Sequence, residues 1–201
     1  MILQYQNTKF LTSSVSKKCL HVDNLGVELA FVGYSNSGKS SLINCITNKK
    51  KLSRFSKKTG RTRMINFFYI NDTLRFVDLP GYGFSLIQKN QKKKIYKLIF
   101  NYLRNRKCLK GLILLIDIRR LIRTEDRKIL TFSKLYNIHI IIILTKCDKL
   151  NKHDRLYQLN ILKKQIQFYY IKLKIILFSC VHMIGINDIL NEINIWYNKH
   201  L

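Results

Sequence analysis

The sequence predicts a three-layer α/β fold: a mostly parallel six-stranded sheet, with one antiparallel hairpin pairing, between helices on both faces. Apolar runs typical of parallel strands covered on both sides recur at 111–116, 140–144 and 174–178. Segments with helical apolar spacing accompany them at 91–104, 125–136, 154–169 and 187–199. Asn71-Asp72 separates two further strand patterns, which predicts a hairpin of 66–70 and 73–77.

The amino-terminal part of the chain is organised differently. V-E-L-A-F-V (27–32) predicts a buried strand and 40–47 a helix, whereas residues 1–24 are polar and mixed. A length of 201 residues suits one compact domain. We therefore expect an extension, 1–24, packed on a single domain, 25–201.

Composition excludes several classes of protein. The chain has no apolar run long enough for a transmembrane helix, and its first 20 residues lack the apolar centre of a signal peptide. The five cysteines form no C-x-x-C pair, and the five histidines are scattered, so neither zinc nor a catalytic histidine is indicated. We expect a cytoplasmic protein with free thiols.

The chain is strongly basic, with 37 Lys and Arg residues against 11 acidic ones and a net charge of +26. Such a charge attracts nucleic acid or anionic surfaces. The abundance of Ile, Lys and Asn, with Ala30 as the one alanine, equally fits a genome rich in A/T codons. Composition alone leaves both explanations open.

The stretch G-Y-S-N-S-G-K-S (33–40) fits the phosphate-loop pattern G-x-x-x-x-G-K-[ST]. Its glycines let backbone N–H groups turn toward phosphate oxygens, and the helix that follows adds partial positive charge. Lys39 would reach the β- and γ-phosphates, and Ser40 would offer its hydroxyl to Mg²⁺. A chance Gly/Ser turn is the alternative, but the preceding strand and following helix favour the phosphate loop.

Three shorter motifs end later strands. D-L-P-G (78–81) places Asp78 to bind Mg²⁺ through water and the Gly81 N–H to sense a γ-phosphate. In T-K-C-D (145–148), a carboxylate at Asp148 can accept from guanine N1–H and the 2-amino group, although Asp148 could instead be a helix N-cap. Backbone N–H groups of F-S-C (178–180) would meet guanine O6.

These four motifs, in this order, resemble the P-loop GTPases of the TrmE-Era-EngA-EngB-septin-like superfamily. S-R-F-S-K-K-T-G-R-T-R-M-I-N-F-F (53–68) resembles the first switch of the bacterial EngB family, also called YihA or YsxC. D-L-P-G-Y-G (78–83) and L-x-D-I-R (115–119) fit the same family. The resemblance implies a P-loop GTPase domain that hydrolyses GTP and serves in large ribosomal subunit assembly, with family links to cell division and septation.

The resemblance also implies roles for matching positions. Lys39, Thr62 and Gly81 would be catalytic, and Thr62 would join Ser40 on Mg²⁺. The implied nucleotide-binding residues are Gly33, Tyr34, Ser35, Asn36, Ser37, Gly38, Lys39, Ser40, Ser41, Gly60, Arg61, Thr62, Arg63, Met64, Asp78, Leu79, Pro80, Gly81, Thr145, Lys146, Cys147, Asp148, Phe178, Ser179 and Cys180.

The sequence also predicts how the reaction is assisted. Many GTPases place a water-orienting glutamine after D-x-x-G, but here the residue is Tyr82, so we expect slow turnover that a partner or ion stimulates. In related GTPases that use potassium, an asparagine at the position of Asn36 helps to coordinate K⁺. A turn-stabilising role is the alternative for Asn36.

The distribution of charge favours an RNA partner. Two long segments lack acids and hold nine basic residues each, between Glu28 and Asp72 and between Asp78 and Asp117. The first set is Lys39, Lys49, Lys50, Lys51, Arg54, Lys57, Lys58, Arg61 and Arg63, and the second is Lys89, Lys92, Lys93, Lys94, Lys97, Arg104, Arg106, Lys107 and Lys110. Codon bias does not explain acid-free switch regions, so we expect a face for ribosomal RNA or a large-subunit precursor.

Three other functions can be considered from the sequence. A nucleotide domain of a larger RNA-modifying enzyme would need a second domain, whereas we expect a single one. A P-loop kinase would leave T-K-C-D unexplained. A basic RNA- or ribosome-binding scaffold with little hydrolysis fits Tyr82, but not the intact Lys39, Ser40, Thr62 and Asp78. We expect a monomer without membrane insertion.

Overall fold

The structure is a computed structural model that describes residues 3–15, 22–53, 64–83, 88–169 and 173–201. Seven strands lie in the described ranges: β1 Lys9–Ser14, β2 Val27–Gly33, β3 Ile65–Asn71, β4 Leu74–Asp78, β5 Leu109–Asp117, β6 Ile140–Thr145 and β7 Lys174–Phe178. The α-helices there are α1 Lys39–Thr47, α2 Lys89–Asn105, α3 Thr124–Leu135, α4 Lys152–Ile166 and α5 Ile186–Lys199.

The strands form one sheet in the order β1-β3-β4-β2-β5-β6-β7. β2 pairs in parallel with β4 and β5, and β5-β6 and β6-β7 are also parallel. β3 runs antiparallel to β4, as the hairpin pattern predicts, and also to β1. The mostly parallel sheet of the prediction is confirmed, but its six strands and one antiparallel pairing become seven strands and two such pairings.

The additional strand, β1, escaped prediction for a physical reason. Its sequence K-F-L-T-S-S lies at an edge and is largely exposed, so it shows no apolar alternation. Contacts with β3 hold it instead: the Phe10 and Phe68 rings meet edge to face, and Ser13 donates to Asn66 at 2.7 Å. Cross-strand pairs of this kind cannot be read from one strand alone.

Alternate residues of the central strands feed two apolar cores. On one face, Leu112 and Leu114 of β5 belong to the core that includes buried residues of α2, α3 and α4. On the other face, Ile113 and Leu115 pack with residues of α1 and α5. The sheet therefore has helices on both faces, as predicted, and its strands are buried on both sides.

A buried ion network closes the end of the sheet away from the phosphate loop. Glu28 is fully buried and accepts from Arg106 at 2.6 Å, Arg75 at 3.2 Å and Tyr102 at 2.8 Å. Leaving such a buried charge without its partner costs about 3–5 kcal/mol. Arg106 thus belongs to the interior, and its assignment to the basic face is wrong.

The other ends of the parallel strands converge on one edge. β2 ends at Gly33, β4 at Asp78, β6 at Thr145 and β7 at Phe178, so each predicted motif follows a strand at this edge. Ligands of open α/β sheets bind outside these carboxyl ends. None of the helices in the described ranges combines the length and apolar content that a bilayer crossing requires.

Candidate nucleotide-binding site

The loop between β2 and α1 has the backbone that its glycines permit. Gly38 has a φ of 101° immediately before the helix, and Asn36 also lies in the left-handed region, with a φ of 63°. A Cβ at Gly33 would lie 2.5 Å from the Leu115 carbonyl oxygen. The loop therefore bends tightly against β5, and a side chain at position 33 would push it away.

The side chain of Lys39, the first residue of α1, reaches back into this loop. Its Nζ donates to the carbonyl oxygens of Gly33 at 3.1 Å and Tyr34 at 3.4 Å, and the side chain is buried. A Cβ on Gly81 would lie only 3.1 Å from that Nζ. Two motifs separated in sequence, the phosphate loop and D-L-P-G, thus meet at the lysine.

A backbone hydrogen bond also joins the phosphate loop to the segment that follows D-L-P-G. The Ser35 N–H donates to the Tyr82 carbonyl oxygen at 2.8 Å, and Tyr34 and Tyr82 form a parallel bridge. The Ser35 and Ser37 hydroxyl oxygens are buried and meet no hydrogen-bond partner among the described residues. Buried polar atoms without partners are costly, so this loop is suited to a polar ligand.

Asp78 ends β4 beneath the loop. Its Oδ2 accepts from Ser53 Oγ at 3.1 Å, whereas its buried Oδ1 meets no partner in the described ranges. Burial raises the pKa of Asp78, and the charge of Lys39 and the Ser53 hydrogen bond only partly oppose this. A cation at Oδ1 would offset the burial of this carboxylate, so the residues present fit Mg²⁺.

β6 delivers the next motif against the phosphate loop. Thr145 Oγ1 donates to the Ser37 carbonyl oxygen at 2.7 Å and lies 3.2 Å from that of Ile116. Lys146, with a φ of 59°, places Nζ 2.8 Å from the Asn36 carbonyl oxygen and 2.9 Å from Asp117 Oδ2. T-K-C-D therefore braces the loop that precedes α1.

Asp117 anchors this contact from the end of β5. Arg119 donates to both of its oxygens, at 2.9 and 2.8 Å, in addition to the bond from Lys146. Burial alone would raise the pKa of Asp117, but the hydrogen bonds from Arg119 and Lys146 outweigh it and hold the pKa below its usual range. Asp117 is therefore the counter-ion that orients Lys146.

Asp148 and the end of β7 form the far side of the site. Thr145 and Phe178 are register partners in β6 and β7, which brings the two following loops together. Ser179 Oγ donates to Asp148 Oδ1 at 2.7 Å, and this hydrogen bond is the largest cause that lowers the pKa of Asp148. The N-cap of α4 is Asn151, so the helix-cap explanation of Asp148 is wrong.

The remaining sequence-predicted residues are distributed unevenly. Leu79 and Cys147 are buried in the apolar core, and Pro80 is buried beside Leu79. Ser40 is half-buried in the first turn of α1, whereas Ser41, Met64 and Cys180 are exposed. Gly60, Arg61, Thr62 and Arg63 lie outside the described residues.

Several contacts around the site were not predicted from the sequence. Ser53 follows α1 in a polar stretch, and only the fold brings it to Asp78. Tyr34 donates to Glu125 at 2.8 Å and lies beneath the Arg123 guanidinium, 4.4 Å from its ring centre. The available signal was the acidic pair Glu125-Asp126 in the first turn of α3, since helix N-termini favour carboxylates.

Comparisons with known proteins bear on the family of the chain. A family model described as "50S ribosome-binding GTPase" matches residues 28–146. A probable GTP-binding protein EngB of Buchnera aphidicola subsp. Schizaphis graminum is 42% identical over 100% of this chain and 99% of its own. That of Coxiella burnetii (strain RSA 493 / Nine Mile phase I) is 41% identical over 97% and 95%.

Solved structures give the same result for the fold. The crystal structure of a probable GTP-binding protein engB matches with a TM-score of 0.72 and 23% identity, over 87% of this chain and 100% of that chain. The match to this solved structure therefore supports the assigned fold, and the full-length sequence similarity supports the family. The phosphate loop and the three later motifs lie at one edge of the sheet, and the full-length similarity to EngB proteins shows that this chain belongs to the EngB family of P-loop GTPases.

Proposed function

We propose that the chain is a guanine-nucleotide switch that hydrolyses GTP slowly and acts in assembly of the large ribosomal subunit. The observation that carries the nucleotide part is the Ser179–Asp148 hydrogen bond of 2.7 Å, beside Lys146 and the phosphate loop. An ionised carboxylate held in this way accepts two N–H donors, which guanine offers and adenine lacks. Membership of the family itself implies GTP hydrolysis.

The phosphates would lie over the loop of residues 33–40. Its N–H groups and Lys39 would neutralise their charge, which is most of what phosphoryl transfer to water needs. Ser40 and Thr62 would hold Mg²⁺, with Asp78 acting through water, and the metal would supply further neutralisation of the β- and γ-phosphates. The Gly81 N–H would bond a γ-phosphate oxygen.

The remaining predicted residues would line the nucleotide by backbone or by side chain. Residues 60–64 would cover it from the first switch, and the loop of 178–180 would bring N–H groups to guanine O6. Lys146 would lay its alkyl stem along the base while its Nζ stays on Asp117. The reaction would be slow without help, on the order of many minutes for a single event, as in unassisted GTPases.

The partner we propose is ribosomal RNA or a precursor of the large subunit. The name of the matching family model points to the 50S ribosome. α2 supports it: Lys89, Lys93 and Lys97 follow i, i+4 spacing, and Arg104 lies seven residues, about two turns, further on. All four are exposed, so they form a basic stripe on one face. Phosphate contacts of this kind release counterions, so binding should weaken steeply with salt.

Association with ribosomal particles tests this part. Pelleting of the protein with large-subunit precursors should fall as KCl rises, and Lys93→Glu with Lys97→Glu should reduce it at low salt. Lys152→Glu, an exposed change on α4, is the matched control. Association that is insensitive to salt would refute the RNA face, and binding without any hydrolysis would favour a basic scaffold.

Potassium is a further part of the proposal. Asn36 is exposed at the top of the loop, and its carbonyl oxygen already holds Lys146. Its side-chain amide oxygen would coordinate K⁺ beside the phosphates. Turnover in KCl should exceed turnover in NaCl at equal ionic strength, and Asn36→Ala should abolish the difference; equal rates in both salts would exclude it.

Nucleotide identity is the first thing to measure. A fluorescent GDP analogue is competed with GTP, ATP and XTP, for wild type, Asp148→Asn and, as a control, Asp188→Asn on the exposed first turn of α5. GTP should displace the analogue, ATP should not, and only Asp148→Asn should shift the preference toward XTP. Equal competition by ATP would refute the proposal.

We also propose that the protein is cytoplasmic, is a monomer and has a role in cell division and septation.

A further inference from the structure

Two cysteines far apart in sequence meet beside the proposed guanine loop. Cys45 lies on α1, the helix that follows the phosphate loop, and Cys180 directly follows Ser179. Their sulfur atoms are 3.0 Å apart across a sequence separation of 135 residues. Closing to bonding distance requires an approach of about 1 Å.

The surroundings of the pair differ from those of the other described thiols. Cys180 is exposed and Cys45 is half-buried, whereas Cys108 and Cys147 are buried. Burial, followed by the hydrogen bond with Cys180, raises the pKa of Cys45 to about 12. Within the described ranges no group of three or more His, Cys, Asp or Glu side chains could hold a metal, so the pair is not part of such a centre.

We propose that Cys45 and Cys180 form a reversible disulfide when the protein meets a peroxide, and that this bond ties the guanine loop to α1. Transient disulfides of this type serve as redox signals in compartments that keep most thiols reduced. The effect on the guanine loop rests on the proposed function, because it assumes that the loop after β7 contacts the base. The formation of the disulfide does not depend on the proposed function.

The chemistry follows from the exposure of each thiol. The Cys180 thiolate attacks one oxygen of hydrogen peroxide; the O–O bond breaks, giving a sulfenic acid at Cys180 and hydroxide that becomes water. Cys45 then attacks that sulfur, the S–O bond breaks, and a second water leaves with the Cys45 proton. Two electrons pass from the two thiols to peroxide, and a dithiol reductant reverses the result.

The assignment of roles is also consistent with ionisation. Because burial and the hydrogen bond with Cys180 raise its pKa, Cys45 is less ionised than an unperturbed cysteine at neutral pH and should react with peroxide more slowly. Its contact with Cys180 makes the second step intramolecular. Cys45 is therefore the resolving thiol, and Cys180 the one that is oxidised first.

Formation of the bond is tested by mass. Wild type, Cys45→Ser, Cys180→Ser and Cys108→Ser are treated with hydrogen peroxide, free thiols are blocked, and the chains are digested without reduction. Wild type and Cys108→Ser should lose the mass of two hydrogens and yield a linked Cys45–Cys180 peptide that a dithiol removes. A bridge to Cys19, or over-oxidation of Cys180 without any bridge, would overturn the proposal.

The effect on nucleotide is tested by release. The fluorescent GDP analogue is chased from oxidised and reduced protein with excess GDP; we expect release to slow severalfold on oxidation of wild type and not of Cys45→Ser. A confirmed bridge with unchanged release would refute its effect on the loop. A bridge in protein that binds no GDP in either state would refute the proposed function while leaving the disulfide itself established.

Discussion

Tyr82 donates its hydroxyl hydrogen to Asp126 Oδ1 at 2.5 Å, which joins the residue after D-L-P-G to the first turn of α3. The tyrosine is 1% exposed, and burial, with the Asp126 charge second, raises its pKa far above the usual value. The other Asp126 oxygen accepts from the Arg123 N–H at 2.9 Å. The side chain that stands in the place of a water-orienting glutamine is therefore committed to the core.

This contact predicts that Tyr82→Phe changes stability and not the chemical step. Loss of one buried hydrogen bond to a carboxylate should lower the free energy of unfolding by about 2 kcal/mol. Single-turnover hydrolysis of bound GTP should keep its rate, because the hydroxyl points into α3. Urea unfolding and a single-turnover assay measure the two effects.

The control for Tyr82→Phe is Tyr157→Phe, which removes an exposed hydroxyl on α4. It should alter neither stability nor rate. A large fall in hydrolysis in Tyr82→Phe, at unchanged stability, would contradict the structure and give Tyr82 a direct part in the reaction.

The Tyr82–Asp126 bond also shows what the sequence can and cannot predict. Tyr82 could be excluded as a glutamine equivalent from its identity alone. Its partner could not be found, because Asp126 lies 44 residues away and only the packing of α3 on the sheet brings them together. The position of each motif at the end of a strand could be predicted, because spacing fixes the local backbone. The contacts of Ser53, Asp117 and Asp126 could not, because they join distant parts of the chain.

Ser179→Ala should weaken guanine-nucleotide binding without changing its selectivity. The hydroxyl donates to Asp148, and a hydrogen bond to a charged group contributes about 1.5–3 kcal/mol. We expect the Kd for GDP to rise by about tenfold or more. Because Asp148 remains, ATP should still fail to compete.

The matched control for Ser179→Ala is Thr131→Ala, which removes an exposed hydroxyl that bonds only its own helix, at Arg127. Its Kd for GDP should equal that of wild type. An unchanged GDP affinity in Ser179→Ala would mean that Asp148 does not depend on this bond for its position.

Thr145→Val should loosen the phosphate loop. The hydroxyl joins β6 to the Ser37 carbonyl oxygen, and valine keeps the shape while removing the donor. The free energy of unfolding should fall by about 1–2 kcal/mol, and GDP should dissociate faster, as stopped-flow release of the fluorescent analogue would measure.

Thr145→Ser is the rescuing variant, since it retains the hydroxyl. It should restore slow release even if the lost methyl group lowers stability somewhat. Fast release in both variants would assign the effect to packing of the side chain and not to its hydrogen bond.

The strands show a similar division between what local sequence specifies and what it does not. Ile140–Thr145 could be predicted because a strand buried on both faces is a continuous apolar run. β1 could not, because polar residues at a sheet edge obtain their stability from β3. Arg106 was placed on the surface for the same reason: its buried partner, Glu28, is 78 residues away.

Asp117→Asn should lower stability in a pH-dependent manner. The pKa of Asp117 is lowered in the folded chain by Arg119 and Lys146, despite burial, so its ionised form is stabilised relative to the unfolded state. This contribution is fully present above the unfolded pKa, about 3.9, and is lost as pH falls toward the lower folded pKa. The difference in the free energy of unfolding between wild type and Asp117→Asn should therefore be constant from pH 7 to about pH 5 and narrow below it.

Urea unfolding across this pH range measures the difference. The exposed change Asp188→Asn is the control and should show no such difference at any pH. A difference that stays constant down to the acid limit of folding would show that the asparagine disturbs packing, and that the charge of Asp117 is not what holds Lys146 against the phosphate loop.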